Sequence, residues 1–161
     1  MSGSVTHVWR PSSARRVVLD GFAPVARGAV LSAPAPLSWP AKDPGDVLDY
    51  EFDIAAALVG NEGDPIVSLS AVITPGDAQD LQLASMLADG SRAVFWFSGG
   101  QAGVTYVVQV SLTTASGRSL GRAVLLPVLA LASAAAPSSA LTTDLGGVVT
   151  DSLGNPILIG G

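Results

Sequence analysis

Five carboxylates in a short stretch are the residues whose type and spacing come nearest to a chemical site. Oxygen ligands of this kind, grouped near a loop, can hold Ca²⁺. The last three alternate with apolar residues, however, and alternate residues of a strand lie about 6.8 Å apart on one face. We therefore predict a solvated acidic face of a strand rather than a metal site. The five are Asp43, Asp46, Asp49, Glu51 and Asp53.

Candidates for catalysis are few. His7 is the only histidine, and no nucleophile-elbow motif accompanies it, so a Ser-His-Asp triad is not predicted. Sugar hydrolysis by two carboxylates would need a cleft and an apolar shield around one acid, which the spacing does not indicate. The chain has no cysteine, which excludes thiolate metal sites and a Cys nucleophile. The sequence predicts a protein that is not an enzyme and uses no metal or cofactor.

Two further motifs have structural interpretations. Residues 99–103 contain three glycines but lack the Lys-Ser/Thr ending of a phosphate loop and lead into a strand, so we predict a hairpin turn. Tryptophans can stack on sugars, but Trp96 lies in an apolar strand and is predicted to pack in or against the domain. Trp9 and Trp39 are predicted to anchor the N-terminal segment. Carbohydrate binding stays open as an alternative.

These residues must be positioned by β-strands. Between residues 46 and 130, period-two patterns and Gly or Pro turns predict six strands. They recur every 8 to 12 residues or so, the spacing of an immunoglobulin-like β-sandwich. The fold class is therefore all-β. The six patterns cover residues 48–54, 66–73, 81–83, 92–97, 104–112 and 119–128.

The N-terminal segment, residues 1–45, is rich in proline, which breaks it into short extended pieces. Residues 17–19 or 5–9 could add one edge strand to the sandwich. The large apolar side chains of this segment, Trp39 among them, need a surface to pack on, either the sandwich or a neighbouring subunit. We expect an arm that becomes ordered on assembly.

The C-terminal segment begins with an Ala/Ser linker, residues 131–142, followed by a tail, residues 143–161, in which a Thr-Asp and Leu-Gly pattern occurs twice. An apolar peptide on a tether suits docking on a partner as an added strand, or it covers an edge of its own sheet. The residues predicted to bind partners, in the two terminal segments, are Trp9, Trp39, Leu145, Val148, Val149, Leu153, Pro156, Ile157, Leu158 and Ile159.

Composition points to an assembly component. Charged residues make up only 13% of the 161 residues, about half the usual share, so we expect other subunits to cover much of the surface. The net charge of −5 and the scattered basic residues argue against nucleic-acid binding. The longest apolar run, residues 124–136, is shorter than the roughly 20 residues of a membrane span. The N-terminus lacks the pattern of a secretory signal, and the lack of cysteine fits assembly in the reducing cytoplasm.

Three pieces of the chain, in this order, resemble the phage fibre-tail adaptor family: residues 41–53, 93–106 and 112–118. The resemblance covers roughly residues 41–128. It implies a structural virion protein of a tailed bacteriophage that attaches receptor-binding tail fibres to the tail. The implied partners are the tail tube or hub, the tail fibre and further copies of the chain, and the implied location is the tail of the virion, after assembly in the host cytoplasm.

Two other functions stay open at this point. A head or neck decoration protein suits a sandwich of this size equally well, and a carbohydrate-binding module would touch the host surface directly.

Overall fold

A computed structural model describes residues 10–20, 22, 26–29, 34–132, 149–152 and 157. The chain divides into two compact units, Met1–Ala130 and Leu131–Gly161. The first unit contains every named strand.

All six strands predicted between residues 46 and 130 are present, and two short strands precede them. Strand β5 is longer than the three residues predicted, because a bulge between Leu83 and Ser85 breaks its period-two pattern. Short 3-10 turns lie at Ser13–Arg15 and Ala55–Leu58. The strands are β1 (Arg16–Val18), β2 (Leu37–Ser38), β3 (Leu48–Asp53), β4 (Ile66–Thr74), β5 (Leu81–Asp89), β6 (Arg92–Gly99), β7 (Thr105–Thr114) and β8 (Ser119–Pro127).

The strands form two four-stranded sheets with the orders β1-β3-β6-β5 and β2-β8-β7-β4. Pairing is antiparallel throughout except for β1 with β3 and β2 with β8, which are parallel. Strands β3 to β8 follow the B-E-D and G-F-C orders of the two sheets of an immunoglobulin domain, with β1 in the place of strand A and β2 added beside strand G. The predicted immunoglobulin-like β-sandwich is confirmed.

The core between the sheets is aromatic at its centre. The ring of Trp39 packs edge-on against Tyr50, with 5.6 Å between centroids, and Phe95 stacks on Phe97 at 6.0 Å. All four side chains are buried. Inward positions of β3 and β6 supply three of the rings, as the period of two requires.

The described part of the N-terminal segment is not a free arm. Its strand β1 joins one sheet and β2 joins the other, so two strands are added where one was expected. Strand β1, Arg16–Val18, overlaps the predicted residues 17–19, and Leu19 is buried just beyond its end. The other predicted strand, residues 5–9, lies outside the described residues.

Candidate partner-binding surfaces

The acidic face of β3 is buried, so the prediction of a solvated face is wrong. Asp49, Glu51 and Asp53 all lie below 10% exposure, and Glu51 is fully covered. The parallel register of β1 places Arg16 opposite Glu51. A segment distant in sequence thus neutralises carboxylates that would be costly to bury alone.

Two arginines of the N-terminal segment pair with Asp49 and Glu51. The Arg15 guanidinium lies 2.5 Å from Oδ1 of Asp49, whose Oδ2 accepts a hydrogen bond from the Ser12 amide at 2.7 Å. Burial alone would raise the pKa of Asp49, but the Ser12 and Arg15 hydrogen bonds hold it below its ordinary value. Arg16 Nε donates to Oε2 of Glu51, a bond that raises the pKa of Arg16.

The other carboxylates considered for Ca²⁺ accept hydrogen bonds from their own turn. Asp43 Oδ1 accepts from the Gly45 amide at 2.9 Å, and Asp46 Oδ2 accepts from the Asp43 amide at 3.1 Å. Within the described ranges, no group of three His, Asp or Glu side chains is placed to hold a metal ion. The geometry of this region is that of a clamped strand and a capped turn.

The turn at residues 99–103 connects the two sheets and is not a hairpin, which corrects the prediction. Strand β6 before it pairs with β3 and β5, whereas β7 after it pairs with β4 and β8. Gly100 has a φ of +96°, and a Cβ there would lie 2.9 Å from Cγ2 of Val128. Glycine is therefore required by backbone conformation and by packing.

Tyr106 fastens this turn. Its hydroxyl donates to Oδ1 of Asp80 at 2.8 Å and accepts from the Gln101 amide at 3.0 Å, the arrangement of a tyrosine corner. The pKa of Asp80 is lowered first by the hydrogen bond from the Asp77 amide and then by the bond from Tyr106. Sequence reasoning missed this network. The available signal was a tyrosine near the start of β7, the fifth of the six predicted strands.

Lys42 is a fully buried lysine that no sequence signal indicated. Its Nζ donates to the carbonyl oxygens of Asp43 and Gly99 at 2.7 Å and 2.6 Å. Burial lowers the pKa of Lys42, partly offset by Asp46 and Asp43. The lysine ties the start of the sandwich to the end of β6.

Asp64 performs a similar task at the turn before β4. It accepts hydrogen bonds from the Thr114 hydroxyl and the Ser116 amide, both at 2.7 Å, and pairs with Arg118 at 2.5 Å. Burial raises its pKa, but the bonds from Thr114, Ser116 and Arg118 outweigh burial and hold the pKa far below the usual range. The turn between β7 and β8 is thereby fixed to the start of β4.

Three of the residues predicted to bind partners are described. Trp39 is buried at 2% exposure, and its Nε1 donates to the Glu51 carbonyl at 2.8 Å, so it anchors the chain to its own sandwich. In the second unit, the Ile157 amide donates to the Val149 carbonyl at 2.9 Å, which joins the two copies of the tail repeat. Ile157 is exposed. The predicted residues outside the described ones are Trp9, Leu145, Val148, Leu153, Pro156, Leu158 and Ile159.

One family model matches the chain, described as "Podophage GP4 fiber-tail adaptor protein gp77", over residues 42–127. That is more than half of the chain. The chain belongs to this podophage fibre-tail adaptor family. The match begins at buried Lys42 and ends at Pro127, the last residue of β8, and the Lys42 amide donates to the Pro127 carbonyl at 3.1 Å. It therefore spans β3 to β8.

The fibre-tail adaptor family confirms the resemblance seen over residues 41–128. Membership supports a structural adaptor role in the phage tail and a place in the virion. A search of curated proteins finds no match. Among the described residues, no helix is long and apolar enough to span a membrane.

Proposed function

We propose that this chain attaches receptor-binding tail fibres to the tail of a podophage, and that it acts through contacts rather than catalysis. The observation that carries the proposal is the family match, which covers six consecutive strands of the sandwich. The partners are a tail tube or hub protein, the tail fibre and further copies of the chain. Assembly takes place in the host cytoplasm.

The sandwich has the rigidity expected of a protein that transmits force between fibre and tail. Its connections are tied by polar networks at Lys42, Asp64 and Asp80 in addition to the apolar core. Buried networks of this kind, fully hydrogen-bonded, favour one rigid arrangement. A rigid body between fibre and tail keeps the fibre at a constant angle.

The two terminal segments have different proposed roles. Residues 10–20 are bound to the sandwich through Arg15 and Arg16, which leaves the second unit, Leu131–Gly161, as the proposed docking element. Its two tail repeats carry apolar side chains, of which Ile157 is exposed. We propose that this unit engages one of the two partners.

The test is an affinity pull-down from infected cells, with the full chain compared with a version ending at Ser133. The first unit keeps every named strand in that version, so its thermal unfolding midpoint serves as the folding control. Recovery of tail and fibre proteins by the full chain, with one of them lost on truncation, supports the adaptor role. Recovery of capsid proteins alone contradicts it.

A further inference from the structure

Strand β5 is an open edge of the sandwich. Among the described residues it pairs only with β6, on one side. Residues 84–89 are exposed without interruption. Edge β4 of the other sheet lies beside it, because the short loop of residues 75–80 connects the two strands. The edges of both sheets therefore open on the same side of the molecule.

The core is incompletely covered at this side. Residues directly opposite in an antiparallel pair point to the same face, and Met86 lies opposite the core residue Phe95. Met86 therefore points inward, yet it is 43% exposed, whereas Phe95 is fully buried. On β4, the inward Leu69 and Ile73 are only partly buried. Within the described residues, the inward apolar side chains along β5 are therefore only partly covered.

The sequence of β5 does little to protect this edge. Natural edge strands are commonly short or carry Lys, Pro or inward charges that prevent pairing with another strand. The opposite edges follow that rule, since β1 has three residues, including Arg16, and β2 has two. Strand β5 has nine residues without Lys, Arg or Pro, and its one charge is the terminal Asp89.

Charge and geometry together define what the edge accepts. A charged strand placed on β5 would lose water around its charges without gaining an opposite charge. The uncovered inward positions need apolar side chains at every second residue, which an extended strand supplies. We infer that β5 binds an extended, uncharged, apolar segment of a neighbouring tail or fibre protein as an additional β-strand. This inference rests on the proposed adaptor function.

Hydrogen exchange of the complete chain, free and in purified tails, tests the inference. Amides of β5 that form hydrogen bonds to an added strand become protected from hydrogen exchange. We therefore expect exchange in β5 to slow by about tenfold or more in the tail. Equal exchange rates in the two states would overturn the inference while leaving the adaptor role intact. Absence of the chain from purified tails would overturn the adaptor role, and the inference with it.

A matched pair of variants supplies the second measurement. Ser85→Lys places a charge on the open edge, whereas Ser111→Lys places it at an exposed position of β7, which is paired on both sides. With unchanged unfolding midpoints, we expect Ser85→Lys to lower recovery of tail or fibre protein by about tenfold and Ser111→Lys by less than about twofold. Equal recovery contradicts the inference. So does self-association of the purified wild-type chain that Ser85→Lys abolishes, because β5 would then bind a second copy.

Discussion

Arg16 on β1 and Glu51 on β3 form an ion pair in which the carboxylate is fully buried and the guanidinium is about a quarter exposed. Removing the arginine leaves a buried charge with no partner. We expect Arg16→Ala to lower the free energy of unfolding by ~2–3 kcal/mol. This loss is no larger than the smallest usually found for broken buried ion pairs, because Arg16 is partly exposed. Urea unfolding at pH 7 measures the loss.

The control for this pair lies on the same sheet. Arg92 pairs with Asp53 at 3.8 Å and is nearly half exposed. Because exposed pairs contribute little, Arg92→Ala should cost less than ~1 kcal/mol. Equal losses for Arg16→Ala and Arg92→Ala would contradict the view that β1 is held by a buried charge pair.

Two buried tyrosines provide a matched comparison, because the hydroxyl of Tyr106 makes two hydrogen bonds and that of Tyr50 makes none among the described residues. Tyr106→Phe removes the donor to Asp80 and the acceptor for the Gln101 amide, and should cost ~1–3 kcal/mol. The hydroxyl of Tyr50 is buried without a hydrogen-bond partner among the described residues, and burial raises its pKa to about 12. Tyr50→Phe should therefore be neutral or stabilising. Chemical unfolding of both variants decides, and a greater loss for Tyr50→Phe would refute the tyrosine-corner assignment.

Stability should fall in acid because three aspartates have folded-state pKa values below the ordinary value of 3.8. The unfolded chain then binds more protons than the folded protein, so the stabilisation is complete above that value and is lost as the pH falls through it toward the folded values. The three are Asp49, Asp64 and Asp80.

Asp64→Asn should flatten this acid dependence between pH 5 and pH 2, measured as the urea midpoint at each pH. Thr114→Val, which removes one donor to the Asp64 carboxylate, should give a smaller change of the same sign. An acid profile of Asp64→Asn that is parallel to the wild type would show that the hydrogen bonds at Asp64 do not contribute.

Alanine substitutions at Gly100 and Gly103 distinguish the cost of backbone strain from the cost of side-chain crowding. Both have positive φ, but a Cβ at Gly103 would meet no atom within 4 Å, whereas one at Gly100 would lie 2.9 Å from Val128. We expect Gly103→Ala to cost ~1–2 kcal/mol for the left-handed backbone alone. Gly100→Ala should cost a further ~1–3 kcal/mol for overpacking. Thermal unfolding measures both, and equal costs would mean that Val128 moves aside freely.

Substitutions of Trp39 test whether it stabilises the core of the sandwich or contacts a partner. Trp39→Ala should lower stability by ~3–5 kcal/mol because it empties part of the aromatic core. Trp39→Phe keeps a ring but loses the hydrogen bond to the Glu51 carbonyl, at a cost of ~1–2 kcal/mol. Partner recovery in the pull-down should fall only when stability falls. A Trp39→Phe protein of wild-type stability that no longer binds tail or fibre would make Trp39 an interface residue.

Local patterns in the sequence determined most of the strands. Alternation of apolar side chains and the Gly and Pro turns depend on neighbours in the chain, so β3, β4, β6, β7 and β8 were predicted within a few residues. The hairpin between β5 and β6 was also predictable from its glycine, since Gly90 adopts a positive φ in the two-residue loop between the paired Asp89 and Arg92. The family resemblance came from the same local segments.

Only the tertiary structure decided which faces are covered and which strands pair. Glu51 is buried because β1, some 35 residues earlier in the chain, lies beside it in parallel register. Residues 99–103 cross between sheets, although their glycines resemble those of a hairpin. Lys42 is buried with its Nζ bound by the carbonyl of the adjacent Asp43 and by that of Gly99, 57 residues later in the chain. The alternation of apolar residues and the types of turn residues reflect local backbone geometry. Side-chain burial and strand pairing depend on contacts between distant segments, which a single sequence does not specify.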